Sequence, residues 1–272
     1  MPEHTTLEVN VEKILHDKAG AKAKYVPHFV VKWLKRILHQ DEINAFLREH
    51  QDEEGVEWLE STIKYLDVNL KVSGLENLAT DNSKRYTFVS NHPLGGIDGV
   101  ALGAILGKHY NGNIRYLLND ILMNLPGLKP LGVPVNKTGG QNRNTVRLVD
   151  EVFRSNYNII VFPAGLCSRM INGRVQDLPW SKTAIQKSIQ NHRDIVPIFF
   201  SGQNSKRFYR IANISKKLKF NFAMLFLADE AYKSRGKKFE VRIGKPIDWQ
   251  HFDNSRTPTQ WAQWLRKQVY KL

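Results

Sequence analysis

A histidine, a glycine pair and an aspartate fall within nine residues of one another in Asn91-His92-Pro93-Leu94-Gly95-Gly96-Ile97-Asp98-Gly99. The stretch follows an apolar run at 86–89, which reads as a buried strand ending near Ser90. It precedes 99–108, whose apolar spacing is helical. Imidazole takes up a proton near neutral pH, and a neighbouring carboxylate can fix its tautomer and stabilise its cation. His92 is therefore a candidate general base and Asp98 its orienting partner. Two plainer readings stand beside these roles: Asp98 is well suited to cap a helix, and the glycines Gly95 and Gly96 suit a tight turn. The same glycines could offer backbone N–H groups to an oxyanion. Cys167, the one cysteine, could pair with a histidine as a nucleophile, although a lone cysteine is ordinarily a small buried filler.

The elements that must position these residues change character along the chain. Residues 1–66 read as a polar, helical N-terminal segment, and 67–272 as an α/β domain. Pro27 reads as a helix start, and 28–50 is amphipathic. Val30, Leu34 and Leu38 form one stripe, with Trp33 and Ile37 beside it as membrane-contact candidates. Beyond residue 67, short apolar runs at 70–72, 86–89, 115–118, 133–135, 158–162, 195–200 and 239–243 predict strands. Helical spacing predicts helices at 99–108, 142–154, 181–189, 222–232 and 259–270. The alternation predicts an α/β fold whose central sheet is covered on both faces by helices.

Further motifs follow the histidine in order: Leu131-Gly132-Val133-Pro134-Val135-Asn136-Lys137, then Phe162-Pro163-Ala164-Gly165, then Val196-Pro197-Ile198. Together with the Asn91-His92 corner, the set resembles the four motifs of the lysophospholipid (glycerolipid) acyltransferase family. The resemblance spans over a third of the chain. It implies a mixed, largely parallel sheet, a catalytic His92–Asp98 pair and a substrate site. That site draws on Asn91, Gly95, Gly96, Lys137, Phe162, Pro163, Ala164, Gly165, Arg169 and Lys182. It implies an acyl thioester of acyl carrier protein or coenzyme A as co-substrate, a lyso-lipid as acceptor, and neither metal nor further cofactor.

Three departures separate the chain from the family pattern. Five residues, not four, lie between His92 and Asp98. Ala164 replaces the usual Glu. Lys137 stands in place of Arg, and Arg169 lies two positions late. In the family those Glu and Arg positions hold the acceptor's phosphate, so the departures imply a different headgroup. The Asn-His-Pro-Leu-Gly-Gly and Phe-Pro-Ala-Gly forms are most similar to a bacterial, hemolysin-like branch. That branch O-acylates lyso-ornithine or lyso-glycine lipids. Lysophosphatidate acylation, a Cys167-dependent hydrolase and a non-catalytic membrane module remain the rival readings.

Composition restricts the partners. Forty Lys and Arg against 26 Asp and Glu give a net charge of +14, which favours anionic ligands or surfaces. No zinc-finger spacing, nucleic-acid motif or phosphate-loop pattern accompanies the charge, so lipid and a phosphorylated acyl carrier are expected rather than nucleic acid. Residues 206–219 carry six Lys or Arg and no acid, interleaved with Phe208, Tyr209, Ile211 and Ile214. Such a mixture suits either a solvated helix face or an anionic membrane. A single cysteine fits a reducing compartment, residues 1–10 lack an apolar signal core, and no apolar run approaches the roughly 18 residues needed to cross a bilayer. The expected location is cytoplasmic, peripheral on the inner face of the cell membrane.

Overall fold

Strand β2 (Tyr86–Ser90) is buried at all five positions, as expected for a central strand with both faces covered. In the computed structural model, which describes residues 8–80, 84–119, 122–123, 125–135, 143–217 and 222–272, β2 lies in the middle of a seven-stranded sheet. Its members are β1 (Asn69–Ser73), β2, β3 (Ile114–Asn119), β4 (Gly132–Val135), β5 (Asn158–Val161), β8 (Asp194–Phe200) and β9 (Lys238–Ile243). Their order is β1-β9-β8-β2-β5-β3-β4. Strands β8, β2, β5, β3 and β4 are mutually parallel. β9 runs antiparallel to β8, and β1 pairs parallel with β9, so two strands at one edge are reversed.

Side-chain alternation divides the core. Phe88, Ile160, Val196 and Ile198 face α3 (Gln40–Glu49), α4 (Gly55–Tyr65) and α5 (Ile97–His109), which contribute Phe46, Trp58, Leu59, Leu102 and Leu106. Val89, Ile159, Val161 and Ile195 point to the other face. There α6 (Arg143–Arg154), α7 (Thr183–Gln190) and α10 (Pro258–Val269) supply Phe153, Ile185, Trp261 and Leu265. The period-two switch between neighbours such as Phe88 and Val89 is what a doubly covered sheet requires. Residues of the N-terminal segment thus enter the same core as the sheet.

Helix α5 packs tightly on β3. A Cβ at Gly103 would meet the Tyr116 hydroxyl at 1.7 Å, and that hydroxyl donates to the Gly99 carbonyl at 2.6 Å. Only a glycine lets the helix come this close, and the contact fixes the helix end that carries Asp98.

The amphipathic stretch at 28–50 is two helices. Following α1 (Val11–Ala19), α2 (His28–Ile37) ends before α3 begins at Gln40. His39 between them is left-handed at φ 50°, with its ring stacked on Tyr232 at 4.1 Å. Ile37 is buried in the core, whereas Trp33 is 44% exposed and Phe29 73%. The outward apolar face of α2 is therefore Phe29 and Trp33, not the Trp33–Ile37 pair. The expected helix at 222–232 begins as a 3-10 turn (Phe222–Phe226) before α9 (Leu227–Tyr232). The antiparallel pair β6 (Arg169–Ile171) and β7 (Arg174–Gln176) lies outside the expected strands, and the basic stretch that begins at residue 206 forms α8 (Lys206–Lys217). Among the described residues no helix is long and apolar enough to cross a membrane.

Candidate active site

His92 leaves the C-terminal end of β2 one residue after Asn91, whose amide is bonded through both its nitrogen and its oxygen to the main chain of Phe200. Asn91 Nδ2 donates to the Phe200 carbonyl at 2.8 Å, and its Oδ1 accepts the Phe200 N–H at 2.7 Å. The side chain thereby continues the β2–β8 pairing past the last strand residue and sets the point from which His92 departs.

His92 Nδ1 lies 3.0 Å from Asp98 Oδ2. The His92 side chain keeps 16% of its surface exposed, and that of Asp98 none. Asp98 Oδ2 also accepts the N–H groups of Leu94 at 2.9 Å and Gly95 at 3.2 Å, and Oδ1 accepts that of Gly99 at 3.0 Å. Burial works against its charge, but His92 and the N–H groups of Leu94 and Gly95 outweigh it and hold the carboxyl below its ordinary value. An ionised, acceptor-only Asp98 requires Nδ1 to carry the proton, which leaves Nε2 as the basic nitrogen. The His92 ring stacks at 4.1 Å on Phe162, the residue after β5.

The fifth residue between His92 and Asp98 is accommodated at Gly95, which is left-handed at φ 79°. Asp98 is not the helix cap: Gly96 occupies that position, and Asp98 sits in the first turn with its carboxylate turned back onto the preceding loop. The Gly95 N–H is taken by Asp98 and is closed to a substrate oxygen, while Gly96 is exposed.

The Phe162-Pro163-Ala164-Gly165 segment folds against this corner. Gly165 donates its N–H to the Phe162 carbonyl at 2.9 Å, Pro163 accepts from the Ser181 N–H at 2.9 Å, and Ala164 is half-buried against the α7 side of the sheet. The Ser168 N–H then reaches the His92 carbonyl at 2.7 Å. Arg169 Nη1 lies 2.6 Å from the Cys167 carbonyl, 3.0 Å from Cys167 Sγ and 3.3 Å from the Ser168 carbonyl. Cys167 is buried, and burial raises its thiol pKa despite Arg169. That is the reverse of an activated nucleophile. Lys182 is exposed just before α7 and makes none of these contacts. Lys137 lies outside the described residues.

Two participants escaped the sequence reading: Ser168 and the buried Asp177. Asp177 Oδ1 accepts from Ser168 Oγ at 2.6 Å and from the His92 N–H at 3.2 Å. A signal for the element that delivers Asp177 was present. Asn172-Gly173 joins β6 to β7 with both residues at positive φ, and Asn-Gly is a strong hairpin sequence.

The acyltransferase family model matches residues 13–272. The chain is 56% identical over its whole length, and 98% of the relative's, to the lyso-glycine lipid O-acyltransferase of Phocaeicola vulgatus. It is 54% identical, over all of both chains, to the lyso-glycine lipid O-acyltransferase of Bacteroides thetaiotaomicron. Among solved structures, the 1-acyl-sn-glycerophosphate (LPA) acyltransferase PlsC of Thermotoga maritima aligns with a TM-score of 0.48 at 15% identity. The alignment covers 96% of this chain and 94% of that one.

The corner's dependence on Gly95 can be measured. An added Cβ would lie 2.8 Å from Cys167 Cβ and 2.9 Å from Leu227 Cδ2, at a φ that L-residues avoid. Gly95→Ala is expected to lose about 1–3 kcal/mol in urea unfolding. Gly96→Ala meets nothing within 4 Å and is expected to lose no more than about 1 kcal/mol, the cost of a poorer cap residue at the start of α5.

Proposed function

Because the chain belongs to the acyltransferase family, we propose that it moves a fatty acyl group from a thioester to the hydroxyl of an amino-acid-bearing lyso-lipid of the lyso-glycine type, with His92 as general base. The observation that carries this reading is the full-length likeness to relatives that bear that name. The His92–Asp98 geometry supplies the chemistry. His92 Nε2 removes the acceptor hydroxyl's proton as that oxygen attacks the thioester carbonyl. The tetrahedral intermediate collapses, the C–S bond breaks, and the imidazolium returns the proton to the departing sulfur. Asp98 stabilises the imidazolium. No serine or cysteine nucleophile is required, since the thioester is already activated. The donor is acyl carrier protein or coenzyme A, both anionic and suited to a +14 chain. No metal or further cofactor takes part.

Acceptor choice follows from Ala164 and Arg169. Ala164 brings no carboxylate, and Arg169 Nη1 is engaged by main-chain carbonyls and by Cys167. A planar, two-pronged clamp on a phosphate through both Nη atoms would have to break those bonds. A carboxylate headgroup makes smaller demands.

The site works at a membrane surface, on the inner face of the cell membrane. Phe29, Lys32, Trp33 and Arg36 share the outward face of α2. Trp33 meets Phe226 edge-on at 5.8 Å, and the Arg207 guanidinium of α8 lies 5.3 Å over the same ring. Arg207, Arg210 and Ile214 are exposed along α8. Two helices therefore present aromatic and basic groups around Phe226, the chemistry that an anionic interface recognises.

Three measurements test these statements. With labelled acyl thioester and a panel of lyso-lipids, product masses should identify an O-acylated lyso-glycine lipid. In that assay His92→Ala and Asp98→Asn should each lose about 10²–10⁴-fold in kcat with the fold retained. Near-parental turnover by His92→Ala would remove the general-base mechanism. In equimolar competition, lyso-glycine lipid should outcompete lysophosphatidate by about 5- to 150-fold, the equivalent of roughly 1–3 kcal/mol for an unpaired buried polar group. Preference for lysophosphatidate would overturn the headgroup assignment alone. Liposome binding should rise with anionic lipid, fall with salt, and drop at least about tenfold in Phe29→Ser/Trp33→Ser. Unchanged binding by that double variant would exclude α2 from the interface.

A further inference from the structure

A second buried carboxylate stands behind the His92–Asp98 pair, and the mechanism above does not use it. Asp177, the residue after β7, is 1% exposed. Its Oδ1 takes the Ser168 hydroxyl at 2.6 Å and the His92 N–H at 3.2 Å, and its Oδ2 takes the Trp180 indole N–H at 2.8 Å. Its main chain is held as well. The Asp177 N–H donates to the Tyr270 hydroxyl at 2.9 Å, and its carbonyl accepts from Arg266 Nη2 at 2.7 Å. Arg266 belongs to α10 and Tyr270 directly follows it, so the carboxylate is anchored to a rigid element on the far side of the sheet.

The consequence for His92 is geometric. Its N–H rests on Asp177 and its carbonyl receives the Ser168 N–H at 2.7 Å, while Ser168 is itself bonded to Asp177. Both peptide groups of His92 are therefore clamped by one linked pair. Asp98 can orient the imidazole only about a backbone that does not turn. The residue type also matters. Three donors converge on two oxygens, whose lone pairs are enough to accept them all. An amide in its place would direct an NH2 group at the Trp180 indole or at the Ser168 and His92 donors.

We infer that Asp177 is a positioning residue for acyl transfer: with Ser168 it holds the His92 main chain so that Nε2 stays aligned on the acceptor hydroxyl. The inference rests on the general-base role proposed for His92, and its test separates the two.

The full chain is assayed as Asp177→Asn, Ser168→Ala and Trp180→Phe for kcat, KM and Tm. Histidine labelled with ¹⁵N reports the His92 Nδ1–H resonance by NMR. Misplacement of about an ångström costs on the order of 10²-fold in rate. Asp177→Asn should therefore lose about 10²-fold in kcat with KM within about twofold, and Ser168→Ala about tenfold. Both should shift the Nδ1–H resonance. Trp180→Phe removes only the donor on the far oxygen, so it should lower Tm while keeping kcat and the resonance. Parental kcat in Asp177→Asn overturns the inference. Equal kcat losses in all three variants that follow Tm also overturn it. Should Asp177→Asn not fold, an unchanged kcat in Ser168→Ala overturns it equally. An active His92→Ala removes the general-base reading and this inference with it, whereas an inactive His92→Ala beside an active Asp177→Asn removes the inference alone.

Discussion

A carboxylate with no solvent exposure stays ionised only if the protein replaces the water it has lost. Much of the corner after β2 follows from meeting that condition at Asp98. Leu94, Gly95 and Gly99 each turn a backbone N–H onto it, and His92 adds its Nδ1–H. For those donors to converge, the loop after β2 must curl back through a left-handed residue, and α5 must begin at Ile97. The helix must also sit at one height on the sheet, which the Gly103–Tyr116 contact enforces. The imidazole is oriented by the residual demand of a buried charge.

Sheet direction brings the remaining parts to the same place. β2, β5 and β8 are parallel neighbours, so the residues that end or follow them gather at one edge, where ligands bind in open α/β sheets. His92 follows β2, Phe162 follows β5, and Phe200 ends β8. The Asn91 amide ties the first of these exits to the last. The loop after β5 then does two jobs: Phe162 supports the imidazole ring, and Ser168 holds the His92 carbonyl.

The parts legible in the sequence are those governed by local pattern. Continuous apolar runs mark β2, β5 and β8 because strands covered on both faces leave no room for polar alternation. The His92–Asp98 pair was readable because both residues lie on one short corner. Two other features were hidden for a physical reason. The break at His39 leaves the hydrophobic period of 28–50 almost undisturbed, since α3 resumes the same kind of stripe. β6 and β7 are three residues each, too short to show a period, and only the Asn172-Gly173 turn betrays them. Asp177 lies 85 residues from the backbone it supports, a separation over which sequence spacing carries no information.

The state of Cys167 has a practical consequence. The only thiol in the chain is buried under Gly95, and burial raises its pKa despite Arg169. Thiolate reagents find little to attack there. The wild-type chain is therefore a nearly silent background for site-directed labelling. A cysteine introduced at an outward position of α2 or α8 would carry a spin label or fluorophore as the dominant reactive site, with the native thiol left in place.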